Sequence, residues 1–254
     1  MGWAVFVQHK KSNLVRLIFD KIMSSDSDDC SGQSVIFLNP HSYMILRDHP
    51  DLFAACGKVG IDGQLLVRIL SIFWSGRIDR VSFDMTSLAP RVFQDAAASR
   101  KRVYIIGSTQ ANLDSAVSVL VEKFPELDIC GSRNGYFLSD ADRTSALHDV
   151  LDSKANVIIC GMGTPHQERF LYELRALGWT GTGYTCGGFL HQTASKGAHY
   201  YPAWIDRSQL RWAYRIYDEP KLFKRYFCGY PIAVLFIIKD CLGFAMSKVS
   251  RSTV

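Results

Sequence analysis

The sequence predicts an α/β fold, a Rossmann-like parallel sheet covered by helices, with a basic amphipathic helical appendage at the C-terminus. Short apolar runs alternate with longer amphipathic segments, and several of the runs end in glycine. Strand, glycine turn and helix in repetition are typical of a parallel sheet with helices on its faces. At 254 residues and 48% hydrophobic content, the chain is long enough to bury a sizeable core.

The predicted elements follow an N-terminal stretch in regular order. Residues 1–32 are expected to form an extension that ends in a polar, acidic linker. Strands are predicted at Val35–Leu38, Val103–Ile106, Leu127–Cys130, Val157–Cys160 and Gly183–Cys186. Helices are predicted at about 62–75, 86–99, 110–123, 140–152, 165–177 and 207–226. The chain is thus divided into the extension, an α/β body over 33–203 and an appendage over 204–254.

The net charge of +5 is concentrated in the appendage. Residues 1–203 hold 20 basic and 20 acidic side chains, whereas residues 204–254 hold 9 basic and 4 acidic ones. Such a tail either meets an anionic partner, phosphate or lipid, or is a solvated helix face. Its apolar run Tyr226–Ile238 is too short to span a bilayer and contains Pro231, so an interfacial or reentrant segment is expected.

Neither cysteine nor acidic clusters indicate a metal site. Seven scattered cysteines with no Cys-x-x-Cys pair and no secretory leader indicate reduced thiols in the cytosol. Asp26-Ser27-Asp28 is interpreted as linker, and Asp140-Ala141-Asp142 as a helix start with Ser139 or Asp140 as its cap. The histidines show no ligand spacing. We therefore expect no metal and no cofactor.

The most informative segment follows the predicted strand Val157–Cys160. Gly161-Met162-Gly163 leads into Thr164-Pro165, an N-cap candidate and a proline at the first helical position. Glycines permit close backbone approach, and free N–H groups at a helix start suit a diphosphate, although Gly-x-Gly is often only a tight turn. Gln167 is a candidate ligand of a sugar or phosphate, and Glu168 is interpreted as favouring the helix dipole.

Two other polar residues lie at expected strand ends. Asp62 follows an apolar pair and precedes Gly63, which suits either a catalytic base or a helix N-cap, and the residues by themselves favour the cap. Asn39 before Pro40 is either a sugar ligand or an ordinary turn residue.

Together these motifs resemble the WecG/TagA/CpsF family, glycosyltransferase family 26. The segment Gly161–Glu168 is similar to the family signature G-x-G-x-P-x-Q-E. The resemblance runs in consistent order through roughly residues 34–227, which makes it more specific than any one motif. Its other segments are Phe37–His41, Ile61–Gly63, Arg80 and Asp84, Val103–Ser108, Phe124–Phe137, Cys186–Phe189, Pro202–Trp204, Trp212–Arg215, Glu219–Pro220 and Lys224–Tyr226.

The resemblance implies an inverting, metal-independent enzyme. Members move a sugar from a UDP-sugar donor to an undecaprenyl-diphosphate-linked saccharide, as in bacterial exopolysaccharide, capsule or cell-envelope synthesis. It implies no cofactor and no nucleic-acid partner. It also implies a cytoplasmic protein on the inner face of the membrane, reached through a C-terminal tail that closes over the active site. Whether the chain forms a homo-oligomer is left open.

The resemblance also assigns roles to residues. The expected catalytic residues are Asp62 as the base, Asn39 and Gln167. The expected donor-binding residues are Gly107, Ser108, Tyr136, Phe137, Gly161, Gly163, Gln167, Gly187, Gly188 and His191. The expected phosphate, acceptor or membrane contacts are Arg80, Arg211, Arg215, Lys224 and Arg225. On the residues by themselves, Tyr136 is more typical of core packing, and Arg207, Arg211 and Arg215 form a basic stripe at helical spacing.

Three positions depart from the family pattern. Phe37 stands where the family often has threonine, Tyr200 where it has arginine, and Leu190 where many members have an aspartate that binds uridine, a role His191 is a candidate to fill. These departures favour a subgroup with a different donor, for instance a neutral hexose.

Two other function classes are weighed. A nucleotide-cofactor oxidoreductase predicts Gly-x-Gly-x-x-Gly after the first strand, which the chain lacks. A non-enzymatic membrane- or nucleic-acid-binding module leaves Asn39, Asp62 and Gln167 unexplained.

Overall fold

The structure, a computed structural model, describes residues 13–23, 29–197, 205, 208 and 211–252. Some predictions lie outside the described residues. They concern the linker at Asp26–Asp28, the departure at Tyr200, the segment Pro202–Trp204 and the first arginine of the basic stripe, Arg207.

One sheet of six parallel strands confirms the predicted fold class. Its strands are β1 (Ser34–Leu38), β2 (Lys58–Ile61), β3 (Val103–Gly107), β4 (Ile129–Arg133), β5 (Val157–Gly161) and β6 (Thr182–Thr185). They lie in the order β2-β1-β6-β5-β3-β4. All five predicted strands are present, β4 displaced toward the C-terminus. Strand β2 is not among the five predicted strands, because Lys58 and Gly60 interrupt its apolar pattern, but it confirms the expectation that Asp62 lies at a strand end.

Helices cover both faces of the sheet. Before β3 they are α1 (Asn13–Lys21), α2 (Pro40–Arg47), α3 (Pro50–Ala55), α4 (Gln64–Phe73) and α5 (Ala89–Ala98). After it come α6 (Gln110–Lys123), α7 (Asp140–Asp152), α8 (His166–Ala176), α9 (Phe189–Lys196), α10 (Arg211–Asp218) and α11 (Tyr230–Ser252). A short 3₁₀ turn (Pro220–Leu222) and a π-helical turn (Arg225–Gly229) join α10 to α11.

Strands β1, β3, β5 and β6 bury both of their faces, as central strands of a parallel sheet do, whereas the edge strand β4 is only partly buried. In β1, Val35 and Phe37 pack toward α5, α6 and α9, whereas Ile36 and Leu38 pack toward the helices on the other face. Five of the seven cysteines are buried, as is usual for a free cysteine that packs as a small apolar side chain.

Both ends of the described chain contribute to the core around β1 and β2. Val15 and Ile18 of α1 and Ala233 and Ile237 of α11 are fully buried there. The predicted extension thus contains a helix that packs on the body. The division of the chain at residues 32 and 203 stays a prediction.

The C-terminal helix corrects the expectation that the apolar run is short and broken. Pro231 directly follows the π-helical turn as the second residue of α11, and the helix runs on to Ser252, 23 residues in all. The helical stretch Pro220–Ser247 is long and apolar enough to cross a membrane by length and composition, and 28% of its most apolar window is buried against the protein. The Asp240 carboxylate anchors α11 to α2 through Arg47 Nε at 2.7 Å and the Tyr43 hydroxyl at 2.9 Å.

Candidate active site

A cleft of about 1030 Å³ opens at the carboxyl ends of β2, β1, β6 and β5. This is the edge at which parallel α/β sheets bind their ligands. On the opposite side, α10 and the first turns of α11 cover it. The sequence-predicted residues that line it are Asn39, Asp62, Arg80, Gly163, Gln167, Gly187, Gly188, Arg211, Arg215 and Arg225.

Asp62 directly follows β2 and presents its carboxylate to the cleft. The N-cap of α4 is Gly63, and no side chain caps this helix, so the interpretation of Asp62 as an N-cap is wrong. The Asp62 Oδ1 lies 3.9 Å from Arg80 Nη2, and the side chain is 40% exposed, on its cleft side. Desolvation by the cleft walls raises the pKa of Asp62, and the charge of Arg80 partly opposes that rise. Asp62 is therefore a stronger base than a solvated aspartate.

Asn39 is both a helix cap and a cleft residue. Its Oδ1 accepts hydrogen bonds from the backbone N–H groups of His41, at 3.0 Å, and Ser42, at 3.1 Å, as the N-cap of α2. Arg225 Nη2 donates to the same oxygen at 3.1 Å. Among the described residues no hydrogen bond involves Asn39 Nδ2. The two interpretations of Asn39 are therefore compatible, with Oδ1 in the cap and Nδ2 available to a ligand.

Asp84 holds two arginines together across the cleft. Its Oδ2 accepts from Arg80 Nη2 and from Arg211 Nη1, both at 3.0 Å. Burial by itself would raise the pKa of Asp84, but the two guanidinium groups hold it below the usual value. Since Arg211 belongs to α10, this shared carboxylate ties the C-terminal segment to the loop between α4 and α5.

The two described arginines of the predicted basic stripe, Arg211 and Arg215, face the cleft. The Arg215 guanidinium lies over Gly188, where an added Cβ would come within 3.2 Å of Nη2, and donates to Glu219 Oε1 at 2.8 Å. Arg211, Arg215 and Arg225 all line the cleft, whereas Lys224 is exposed and does not. Clustered guanidinium groups suit an anionic ligand such as a diphosphate.

Gln167 is held in one orientation by Glu168, a contact that the sequence did not predict. Gln167 Nε2 donates to Glu168 Oε1 at 3.0 Å, and Gln167 Oε1 accepts from the Gly187 N–H at 3.1 Å. Glu168 lies in the first turn of α8, as predicted, but its side chain is buried, with 3% of its surface exposed, and burial raises its pKa. Thr164 is not the N-cap. Pro165 occupies that position without a side-chain cap, and Thr164 Oγ1 donates to Glu168 Oε1 at 3.1 Å.

Next to the cleft lies a second region that we call the glycine ledge, formed by Gly107, Gly135 and Gly161 at the ends of β3 and β5 and in the loop after β4. The Ser108 N–H donates to the Gly161 carbonyl at 3.0 Å, and the Gly135 N–H to the Ser108 carbonyl at 3.0 Å. A Cβ on Gly107 would lie 2.3 Å from the Gly161 oxygen, so this approach requires glycine.

Six of the predicted donor-binding residues belong to the ledge or its surroundings and do not line the cleft itself. They are Gly107, Ser108, Tyr136, Phe137, Gly161 and His191. The interpretation of Tyr136 as core packing is wrong, because its side chain is 68% exposed. Phe137 stacks on Phe170 in the core, with ring centroids 6.1 Å apart. The His191 Nδ1 lies 3.1 Å from Asn112 Nδ2. The donor contacts of all six stay predictions.

The Asp-x-Asp string on α7 has a structural role. Ser139 is the N-cap and accepts from the Asp142 N–H at 3.1 Å, as predicted. The Asp142 carboxylate binds Arg133 and accepts from the Leu138 N–H at 3.0 Å. In the part of the chain that the structure describes, no group of three or more His, Cys, Asp or Glu side chains is arranged to hold a metal ion. A metal-free mechanism stays a prediction.

Comparison with known proteins relates the chain to enzymes of glycan assembly. The profile of the glycosyl transferase WecG/TagA/CpsF family matches residues 7–246. A UDP-Gal:alpha-D-GlcNAc-diphosphoundecaprenol beta-1,4-galactosyltransferase of Shigella boydii is 34% identical over 208 residues, 82% of this chain and 86% of that protein. An N-acetylglucosaminyldiphosphoundecaprenol N-acetyl-beta-D-mannosaminyltransferase of Bacillus subtilis (strain 168) is 26% identical over 241 residues, 92% and 90% of the two chains.

Proposed function

Because the chain belongs to the glycosyl transferase WecG/TagA/CpsF family, we propose that it transfers a hexose or N-acetylhexosamine from a UDP-sugar to an undecaprenyl-diphosphate-linked saccharide. The chain is a glycosyltransferase, and the alternative of a nucleotide-cofactor oxidoreductase is wrong. Its product would serve exopolysaccharide, capsule or cell-envelope synthesis.

The observation that carries the mechanism is the Asp62 carboxylate, 3.9 Å from Arg80 in a cleft with three more arginines. In our proposal, Asp62 removes the proton of the acceptor hydroxyl while that oxygen attacks the anomeric carbon of the donor. The new C–O bond forms as the bond from the anomeric carbon to the UDP oxygen breaks. Attack opposite the leaving group inverts the anomeric configuration.

The charge that develops on the leaving diphosphate needs a counter-charge. Arg80, Arg211 and Arg215 line the cleft and carry that positive charge without a metal ion. Gln167, which is oriented by Glu168, supports the sugar or the phosphate from the other wall. This arrangement supports a metal-independent transfer.

The relatives indicate which substrates to test first. The names of both relatives describe transfer to N-acetylglucosamine joined to diphosphoundecaprenol, with galactose or N-acetylmannosamine as the transferred sugar. We propose an N-acetylglucosaminyl-diphosphate lipid as acceptor here. UDP-galactose is the first donor to test, because the galactosyltransferase has the higher identity of the two and a neutral hexose agrees with the departure at Leu190.

We also propose that the protein works on the cytoplasmic face of the cell membrane. The length and apolar composition of Pro220–Ser247 support contact with lipid, and a lipid-linked acceptor requires the cleft to be near the bilayer. The cleft arginines then face the lipid diphosphate.

The test is a transfer assay with the purified full chain, a panel of UDP-sugars and the N-acetylglucosaminyl-diphosphate lipid, with a chelator present. We expect a lipid product one hexose or N-acetylhexosamine heavier by mass spectrometry. Asp62→Asn should lower kcat by about 10²- to 10⁴-fold, because the amide cannot accept the proton. Asp140→Asn, an exposed carboxylate on α7, is the matched control and should be unchanged.

Three outcomes would contradict parts of the proposal. Full activity of the Asp62→Asn variant would show that Asp62 is not the catalytic base. Loss of activity in the chelator would overturn metal independence. A product with the donor configuration retained would exclude a single displacement.

A further inference from the structure

An apolar stripe leaves the cleft along the outer face of α11. We call it the outer stripe and define it by Pro231, Leu235, Ile238, Leu242 and Met246. The spacing of three and four residues puts these side chains on one helix face. Apart from Pro231 they are all large apolar side chains that are exposed, with Met246 71% and Leu235 69% accessible. At 1.5 Å per residue the stripe is roughly 22 Å long.

The outer stripe is separate from the face by which α11 packs on the body. Ala233, Ile237 and Cys241 are fully buried on the opposite side of the helix. Isolated exposed apolar residues are ordinary on protein surfaces, whereas a contiguous series of them indicates an interaction site. The helix is therefore apolar on two faces, of which one packs on the body and the other is exposed to solvent.

The stripe begins inside the cleft. Pro231 lines the cleft together with Val234 of the same helix turn, Phe227 from the preceding π-helical turn and Leu65 at the start of α4. Phe227, with 53% of its surface exposed, and Leu65, with 45%, continue the apolar surface at the mouth. One wall of the mouth is thus apolar, and it is continuous with the stripe.

The same segment carries a cation directly before the apolar wall. Arg225 lies six residues before Pro231, also lines the cleft and donates to Asn39. A guanidinium group next to an apolar path is complementary to one molecule that joins a diphosphate to a hydrocarbon chain. A bilayer surface cannot enter a cleft of this size, but a single chain can.

We propose that the outer stripe binds the prenyl chain of the lipid acceptor, starting at Pro231 and Val234 and continuing toward Met246. The enzyme then recognises its acceptor by the tail as well as by the diphosphate and the sugar. This inference rests on the proposed function for the identity of the acceptor. It adds a tail-binding subsite that works without a surrounding membrane.

The experiment is a binding titration without vesicles or detergent, so that tail recognition is separated from membrane binding and from catalysis. Inorganic diphosphate, geranyl, farnesyl and geranylgeranyl diphosphate are titrated into the full chain by calorimetry, each below its aggregation threshold. We expect the affinity to rise with tail length, by roughly tenfold or more from geranyl to geranylgeranyl, as apolar surface is buried. Inorganic diphosphate reports on the arginines only.

The double variant Leu235→Ser/Leu242→Ser tests the stripe, because both side chains are exposed and outside the core. In this variant the affinity should no longer rise with tail length. The affinity for inorganic diphosphate should stay within about twofold of the wild type, because the contacts of the head group are unchanged. Val121→Ser is the matched control, an exposed apolar residue on α6 whose replacement should change neither affinity. Circular dichroism verifies the fold of each variant.

The outcomes distinguish a bound prenyl chain from the other molecules that could occupy the stripe. If affinity does not depend on tail length in the wild type, or if the double variant keeps the dependence, the prenyl chain does not bind the stripe. A variant that loses only vesicle binding would assign the stripe to bilayer lipid, and one that loses only self-association in sedimentation would assign it to a second copy of the chain. Either result overturns the proposal. Tail-dependent binding without sugar transfer would count against the proposed function and not against the stripe.

Discussion

The charged cleft and the glycine ledge share one edge of the sheet but are built in different ways. The cleft is assembled from side chains that are distant along the chain, since Asp84 binds Arg211 and Asn39 binds Arg225. The ledge is made of backbone, with Ser108 bonded to Gly161 across adjacent strands. From this difference we propose a division of labour, in which charge and proton transfer would belong to the cleft and recognition of the nucleotide base to the open ledge.

The largest effect is expected when a positive charge is removed from the cleft. Arg80→Gln should lower kcat by about 10²- to 10³-fold, because one preorganised donor to the leaving diphosphate is lost. The pKa of Asp62 is raised by desolvation and held down by Arg80, so it should rise further in the variant. Since the base must be deprotonated, the acid limb of the kcat profile should move to higher pH.

Steady-state rates from pH 5 to pH 9 measure both effects. Arg77→Gln is the control, because Arg77 is largely exposed on the same loop and pairs with Asp79 outside the cleft. An acid limb that stays in place in Arg80→Gln would show that Arg80 does not act on Asp62.

Glu168 is a buried side chain between the cleft and the glycine ledge, and it is expected to position Gln167. Glu168→Ala should lower kcat by about tenfold, equivalent to the loss of one hydrogen bond that orients Gln167. Glu168→Gln retains an acceptor for Gln167 and should stay within about threefold of the wild type. Equal activity of the alanine and glutamine variants would exclude a positioning role.

The same residue gives a stability prediction with a defined sign. Burial raises the pKa of Glu168 in the folded state, so the folded protein binds a proton more tightly than the unfolded chain does. The contribution of Glu168 to stability is therefore present at low pH and is lost as pH rises through the folded pKa. Urea unfolding at several pH values should show a smaller decline toward alkaline pH in Glu168→Gln than in the wild type.

The smallest effect is expected on the ledge. Tyr136→Ala should weaken UDP binding by about fivefold, the low end for a base stacked on an aromatic ring, and leave kcat unchanged. Leu138→Ala is the matched control, since Leu138 is in the same loop and is even more exposed. Calorimetric titration with UDP measures the difference. If the two variants bound UDP with equal affinity, the ledge would have no role in recognition of the base.

Local patterns were sufficient for the elements that carry continuous signals. The buried strands β3 and β5, the helices at 110–123 and 140–152 and the cap at Ser139 all agree with the structure. Strand β2 was harder to predict, because four residues with an interrupted apolar pattern carry little periodicity. The C-terminal helix was underestimated, because Pro231 was taken as a break although it lies in the first turn.

The site residues divide in the same way. By itself the sequence determined the glycine turn after β5 and, through the family resemblance, the candidates Asn39, Asp62 and Gln167, because each is marked by its immediate neighbours. Only the tertiary structure decided that Asp62 is not a cap, that Glu168 is buried behind Gln167, and that the arginines of α10 face the cleft. Those facts depend on which groups desolvate one another across the fold, and such contacts between residues far apart in the chain leave no periodic trace in the sequence.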